Sequence, residues 1–374
     1  MTCHISLGSI NMKTSITLNL VFMQIGLAIA TLTFGFVVPV FAQTVTGAGS
    51  SAAAPLYKAW AKAYGNIKNF QLDYDAAGST VGLRKIKANA VSFGASDVPP
   101  SEAALEKDRL VLVPTFISGA VPVINLPKIA AGKLRLSGEV LAAIFMGKIT
   151  RWNASEIQSL NVETALPDLE IKPIVRSDGS GTTYYFTDYL SKVSPEFLGK
   201  FGVKTLISWP ANFIGAAGAA GVSKTIKETA GAIGYIDFDY VTENNLNPVK
   251  LRNVAGEFVV PSALSFRAAL RESEWNSKGN FSSPLTNLQG PNVWPITMGT
   301  FVLFPKVSQK SADTALALQF FVWALTKGDH ITENMNVVRL PDKMQALAFK
   351  SISSVTDSQG KLLGIEAIAE QSKY

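Results

Sequence analysis

Cysteine is almost missing from this chain of 374 residues: there is one, Cys3, close to the N-terminus. Beyond that region no disulfide framework, thiolate nucleophile or cysteine-borne lipid is available. Histidine is as scarce, with only His4 and His330. A zinc centre or a histidine-activated nucleophile is hard to assemble from one distant imidazole, so enzymes of those classes are nearly excluded. Charge is thin as well. Charged residues make up 17% of the chain, the formal net charge is +6, and the lysines are scattered with no basic run. Nucleic-acid binding therefore has no support. No internal repeat or low-complexity linker interrupts the chain. What is present is a globular composition, 47% hydrophobic, long enough for two or three domains.

The beginning differs from the rest. After Met12-Lys13 an apolar stretch runs from about Ile16 to Val40 and closes on Val40-Phe41-Ala42 before Gln43. Compact residues at −3 and −1 fit a secretory cleavage site, so residues 1–42 are expected to be a signal peptide, with Met12 a candidate true start. The competing reading is an uncleaved anchor, since the stretch is long enough to span a bilayer. Both readings export the protein.

From Gln43 on, short strand-like runs alternate with helical ones, the pattern of an α/β protein. Thr44-Val45-Thr46 leads through Gly47-Ala48-Gly49-Ser50-Ser51 into a helix that stops at Gly65-Asn66. Phe70 to Tyr74 alternates like a strand and runs into Ala77-Gly78-Ser79-Thr80. Val91-Ser92-Phe93-Gly94 ends at Ala95-Ser96-Asp97. Further on, Val121 to Asn125, Ala232 to Ile236 and Trp294 to Phe304 read as strands. Leu141 to Phe145 and Ile157 to Leu160 read as surface helices, Ala315 to Leu325 as another helix, and the tail after it as irregular. Repeatedly a strand ends in small, hydroxyl-bearing or acidic residues. In open α/β sheets ligands sit beyond the carboxyl ends of strands, so these turns are candidates to share one cleft. Each alone is also an ordinary turn composition.

Three motif matches fail on inspection. Gly47 to Ala52 fits a relaxed dinucleotide fingerprint with Asp73 downstream, but the strand before it is too short for a buried Rossmann first strand. Gly218 to Thr225 resembles a P-loop whose lysine is displaced, so a flexible loop before a helix is expected there. Ser180 is no hydrolase elbow, because Asp178 stands where glycine is needed.

Arg176-Ser177-Asp178-Gly179-Ser180-Gly181-Thr182 carries the most information. A strand, Ile171 to Val175, delivers a Gly/Ser turn onto the start of a helix over Thr183 to Leu190, where free backbone N–H groups suit a small oxyanion. Arg176 adds a donor fork of permanent charge, and Asp178 is placed to orient it. Asp97 is odd beside an anion unless the anion carries a proton. An ionised carboxylate accepts that hydrogen bond and repels an anion lacking one. Phosphate keeps a proton across neutral pH and sulfate does not, a distinction worth about 10⁴–10⁵-fold in such sites. The plainer alternative makes Asp97 a helix N-cap ahead of Pro99-Pro100-Ser101.

Together with Gly231 to Tyr235 and Trp294-Pro295-Ile296-Thr297, these segments resemble, in order, the periplasmic phosphate-binding proteins of ABC transporters. The resemblance covers residues 44 to 350. It implies an α/β, two-lobed class II periplasmic binding protein with its ligand cleft between the lobes: 43–124 plus 296–374 as one lobe, 125–295 as the other. It implies inorganic phosphate as ligand, held by Ser51, Ala52, Ser79, Asp97, Arg176, Ser180, Gly181 and Thr182, with Asp178 bracing Arg176. It further implies a monomeric, non-enzymatic periplasmic receptor that serves membrane permease subunits and needs no cofactor or metal. The family usually carries Thr then Phe where this chain has Ser51 and Ala52, which bears on tightness more than on ligand identity. An exported phosphatase or phosphotransferase built on the same cradle is the rival expectation, and a receptor for another oxyanion or an anchored phosphate sensor is a third.

Overall fold

The computed structural model describes residues 1–2 and 43–371. The expected signal peptide lies outside the described residues, apart from Met1 and Thr2. The unit that begins at Gln43 carries every element below. Among the described residues no helix is long and apolar enough to cross a membrane.

Strand β1 (Gln43–Gly49) is followed by helix α1 (Ala54–Lys68), β2 (Phe70–Asp75), α2 (Ser79–Lys87), β3 (Phe93–Ser96), α3 (Glu102–Asp108) and the long β4 (Leu110–Asn125). The chain continues through α4 (Gly138–Phe145), β5 (Lys172–Arg176), α5 (Gly181–Val193), β6 (Ile214–Ala216), α6 (Gly218–Glu228), β7 (Ala232–Asp237) and α7 (Phe238–Glu243). It then returns as β8 (Thr297–Pro305), α8 (Ser311–Lys327), α9 (Asp342–Ser353) and α10 (Leu363–Gln371). The main sheet runs β2-β1-β3-β8-β4-β7-β5-β6.

β4 joins the two halves of that sheet. Its first ten residues pair antiparallel with β8, from Leu110 opposite Pro305 to Gly119 opposite Thr297. Its last six pair with β7, from Ala120 opposite Asp237 to Asn125 opposite Ala232. Around this strand β1, β2 and β3 are parallel on one side, and β5, β6 and β7 on the other. Parallel strands need helices on both faces, which the intervening α segments supply.

Apolar patterning accounts for the helices. α1 buries Leu56, Tyr57, Trp60 and Tyr64, and Tyr57 stacks on Trp60 and meets Phe93 and Phe321 edge-on. In the other half Phe186 of α5 stacks on Tyr235 of β7 at 4.1 Å between ring centres. α2 lies close against the sheet because Gly82 has no side chain: a Cβ there would stand 2.5 Å from both the Ala95 carbonyl and the Gly49 Cα.

Several expectations need correction. β1 spans seven residues and runs on through Gly47 and Gly49, past the Thr44 to Thr46 read as the strand. The helix over Leu141 to Phe145 is not a surface helix: Leu141, Ala142, Ile144 and Phe145 are fully buried, because the polar positions are too few to form an exposed face. The short helix after it is one turn, Ser155–Gln158. Gly218 to Thr225 is helical from its first glycine. The tail is largely helical, with α9 and α10 burying Met344, Ala348, Ile352, Leu363 and Ala367.

Replacing Gly82 by valine is expected to cost about 1–3 kcal/mol through overpacking against backbone atoms. The check is the midpoint of urea unfolding, with the slope unchanged.

Candidate anion-binding site

The parallel strands β1, β2, β3, β5 and β6 direct their carboxyl ends to one place, and there the segments singled out in the sequence converge. Ser51, Ser79, Asp97, Arg176, Ser180 and Thr182 are all buried, as is Ala52. Contacts link them across the two halves. Thr80 N–H donates to the Gly179 carbonyl at 3.3 Å, and the Ala219 N–H donates to Ser51 Oγ at 3.3 Å. A Cβ on Gly181 would stand 2.5 Å from Asp97 Oδ2, so the helix start and the carboxylate are packed at the limit of contact.

Asp97 is the centre of a hydroxyl ring. Ser50 Oγ donates to its Oδ1 at 2.6 Å and Thr300 Oγ1 donates to the same oxygen at 2.9 Å. Ser79 Oγ donates to Oδ2 at 3.2 Å, while Tyr185 Oη donates to the backbone carbonyl at 3.0 Å. Two donors on Oδ1 and one on Oδ2 leave Oδ2 able to accept another. Burial pushes the Asp97 carboxyl up, opposed by the hydrogen bonds from Ser50, Thr300 and Ser79 and by the charge of Arg176. The N-cap alternative is excluded, because the following helix is capped by Ser101, which accepts from Ala104 N–H.

Arg176 is held as the sequence suggested. Its Nε donates to Asp178 Oδ1 at 2.8 Å and its Nη2 to Oδ2 at 2.5 Å. Asp178 also accepts from Gly218 N–H at 2.9 Å. Two of five guanidinium protons are used, leaving the remainder for a ligand. Burial works to raise the Asp178 carboxyl, but Arg176 outweighs it and holds the group below its usual range. Gly78 makes room for this pair: at φ 95° it adopts a conformation other residues resist, and a Cβ there would meet Asp178 Oδ2 at 2.7 Å.

At the start of α5, Ser180 Oγ accepts from Thr183 N–H at 3.2 Å and keeps its own proton free. The N–H groups of Gly181 and Thr182 belong to the first turn, where a helix offers no internal acceptor. The dipole end and these donors suit an anion. Thr182 Oγ1 donates to Asp237 Oδ1 at 2.8 Å, so its proton is committed. The Ala52 N–H, expected as a ligand donor, is directed at Ser50 Oγ at 3.1 Å.

Ser50, Thr300, Tyr185 and Asp237 escaped the sequence reading. Ser50 lay beside the chosen Ser51, and its double role as acceptor for two N–H groups and donor to Asp97 depends on a turn too tight to infer. Thr300 lies three residues past Thr297, on a strand whose register shifts between Thr300 and Phe301. Pattern alone gives no such shift.

A two-part sheet with a buried polar site at its strand ends defines a binding-protein architecture. The family model for the PBP superfamily domain matches residues 41–324. The phosphate-binding protein PstS of Pasteurella multocida is 41% identical over 323 residues, 86% of this chain and 94% of that one. PstS of Haemophilus influenzae is 40% identical over 300 residues, 80% of this chain and 90% of that one. A subatomic-resolution structure of a high affinity periplasmic phosphate-binding protein with phosphate bound superposes with a TM-score of 0.66 at 21% identity, over 87% of this chain and 98% of the other, a likeness of fold. The chain belongs to the PstS family of phosphate-binding proteins within the PBP superfamily.

The Arg176–Asp178 pair makes a pH prediction. Asp178 has a folded-state pKa below its unfolded value, so its contribution is complete above the unfolded pKa of about 3.9 and lost as pH falls through the folded one. The stability difference between the native chain and Asp178→Asn is therefore expected to shrink as pH drops from 6 to 3, read by urea midpoints.

Proposed function

We propose that this chain captures one inorganic phosphate ion in the cleft between two lobes and delivers it to membrane permease subunits of an ABC transporter. The lobes are 43–124 plus 296–374 and 125–295. The observation that carries the reading is the pairing of opposites in one buried site: Asp97, with acceptor capacity left on Oδ2, faces a helix start rich in donors and a braced guanidinium. Only an anion that keeps a proton satisfies both sides. Ser51, Ser180 and the N–H groups of Gly181 and Thr182 donate to its oxygens, with Ser79 and Ala52 at the wall. Arg176 balances its charge, and Asp97 accepts the hydrogen bond from the proton the anion keeps.

The cradle works without chemistry on the ligand. Closure removes water, which strengthens each hydrogen bond, and micromolar affinity requires only about −8 kcal/mol net. The relatives bear the names of binding proteins, and we read this chain as a monomeric receptor rather than an enzyme. It is exported by a leader over residues 1–42 that is cleaved before Gln43 and works in the periplasm, apart from nucleic acid.

Equilibrium dialysis with radiolabelled phosphate tests the reading. Micromolar or tighter binding, with sulfate a competitor weaker by about 10⁴-fold, is expected. Asp97→Asn is expected to weaken phosphate binding by about 10- to 100-fold and to narrow the gap to sulfate, since a charge-assisted hydrogen bond contributes about 1.5–3 kcal/mol. Equal competition by sulfate in the native protein would overturn the role of Asp97, and release of phosphate from a chromogenic ester would favour an enzyme.

A further inference from the structure

Three buried carboxyl groups crowd behind one buried cation. Asp97, Asp237 and Asp239 are 1%, 0% and 2% exposed. The cation that faces Asp97 and Asp237 is Arg176, whose fork is already engaged by Asp178. An anion entering this place adds negative charge where one guanidinium cannot balance what is present.

Asp237 stands at the back of the cradle. It ends β7, and its Oδ1 accepts the proton of Thr182 at 2.8 Å. Thr182 follows Gly181, the residue packed against Asp97. Asp237 is thus one hydroxyl removed from the helix start that receives the anion. Its other oxygen, Oδ2, is buried without a hydrogen-bond partner among the described residues. A buried carboxylate oxygen left unpaired carries a desolvation cost that a proton relieves.

We propose that Asp237 is a positioning residue that takes up a proton as the anion binds, so that phosphate capture by this site is coupled to proton uptake. The inference rests on the phosphate reading above. The proton comes from solvent and forms an O–H bond on the carboxyl group. Asp237 becomes neutral and stops opposing the incoming charge, while Oδ1 goes on holding the Thr182 hydroxyl.

The surroundings agree. Charged and titratable groups reach Asp237 from each neighbouring element: Asp97 beyond β3, Arg176 on β5, and Asp239 and Tyr240 on α7, with Glu243 acting on Asp239. β4 presents the apolar Ala120 opposite it. Burial first, and then the charge of Asp97, push the Asp237 carboxyl up to about 7, against Arg176 and the Thr182 hydrogen bond. It therefore stands near the boundary of its two states at neutral pH. A new negative charge nearby favours the neutral form. By reciprocity, the proton that anion binding favours itself favours anion binding. Relative to Asp237→Asn, affinity consequently falls as pH rises through 7.

The test is calorimetry of the mature chain with inorganic phosphate at pH 7.5, in two buffers of different protonation enthalpy. The native protein is expected to take up about half to three-quarters of a proton more per phosphate than Asp237→Asn, because a group with a midpoint near 7 is already about one-quarter protonated at that pH. The titration of phosphate itself is common to both and cancels. Asp237→Glu keeps a carboxyl and is expected to restore the uptake, which a merely structural role would not do. Equal proton counts in the native protein and Asp237→Asn, with phosphate still bound, overturn the coupling and leave the receptor reading intact. Absence of phosphate binding by the native protein overturns the receptor reading instead. Should Asp237→Asn fail to fold, carbon-13 spectra of the native carboxyl groups read the same proton. A group with a midpoint near 7 that moves up by about one pH unit or more with phosphate supports the coupling, and an unmoved one overturns it.

Discussion

The whole site depends on keeping the Asp97 carboxylate out of water without leaving it unsatisfied. Burial alone would neutralise the group, and a neutral carboxyl is a weaker hydrogen-bond acceptor and no longer repels an anion that lacks a proton. Three hydroxyls oppose that tendency, and each comes from a different part of the chain. Ser50 follows β1, Ser79 opens α2, and Thr300 lies within β8. The sheet brings them together, because β3 lies between β1 and β8 in the strand order. Fold and electrostatics are therefore one problem here: misplacing β1, α2 or β8 removes a donor from the same acid.

The second constraint is space. Gly82 lets α2 rest on the sheet, Gly78 lets the loop before it approach Asp178, and Gly181 lets α5 press against Asp97. Small side chains at these points do not bind anything themselves. They let backbone donors and charged groups come within reach of one another, which bulkier residues would prevent. The aromatic clusters on either side, around Tyr57 and around Phe186, make the surroundings stiff enough to hold that spacing.

Much of this was legible in the sequence, and for definable reasons. The α/β alternation, the turns ending at Ser51, Ser79, Asp97 and Arg176, and the bracing of Arg176 by Asp178 are local features, set by residues two to five apart. The buried helix at Gly138–Phe145 and the helical tail were misread, because short apolar runs do not reveal which neighbours will cover them. Thr300 and Asp237 were missed for a related reason. Their partners, Asp97 and Thr182, are 203 and 55 residues away, and nothing near either residue marks it as polar by necessity. Sequence reading finds sites where the chain announces a turn; it passes over Thr300, which a strand interior supplies.

The irregularity in the β4–β8 ladder bears on how such a protein can change length. Thr115 is the extra residue: Phe301 lies opposite Pro114 and Thr300 opposite Phe116. The Thr115 hydroxyl fastens the kink by donating to the Thr300 carbonyl at 2.9 Å. Because faces alternate along a strand, deleting that single residue would turn the β4 residues on one side of it to the opposite face of the sheet. Insertions in outer loops leave the acid's third donor untouched, but the middle of the sheet tolerates neither gain nor loss of a residue.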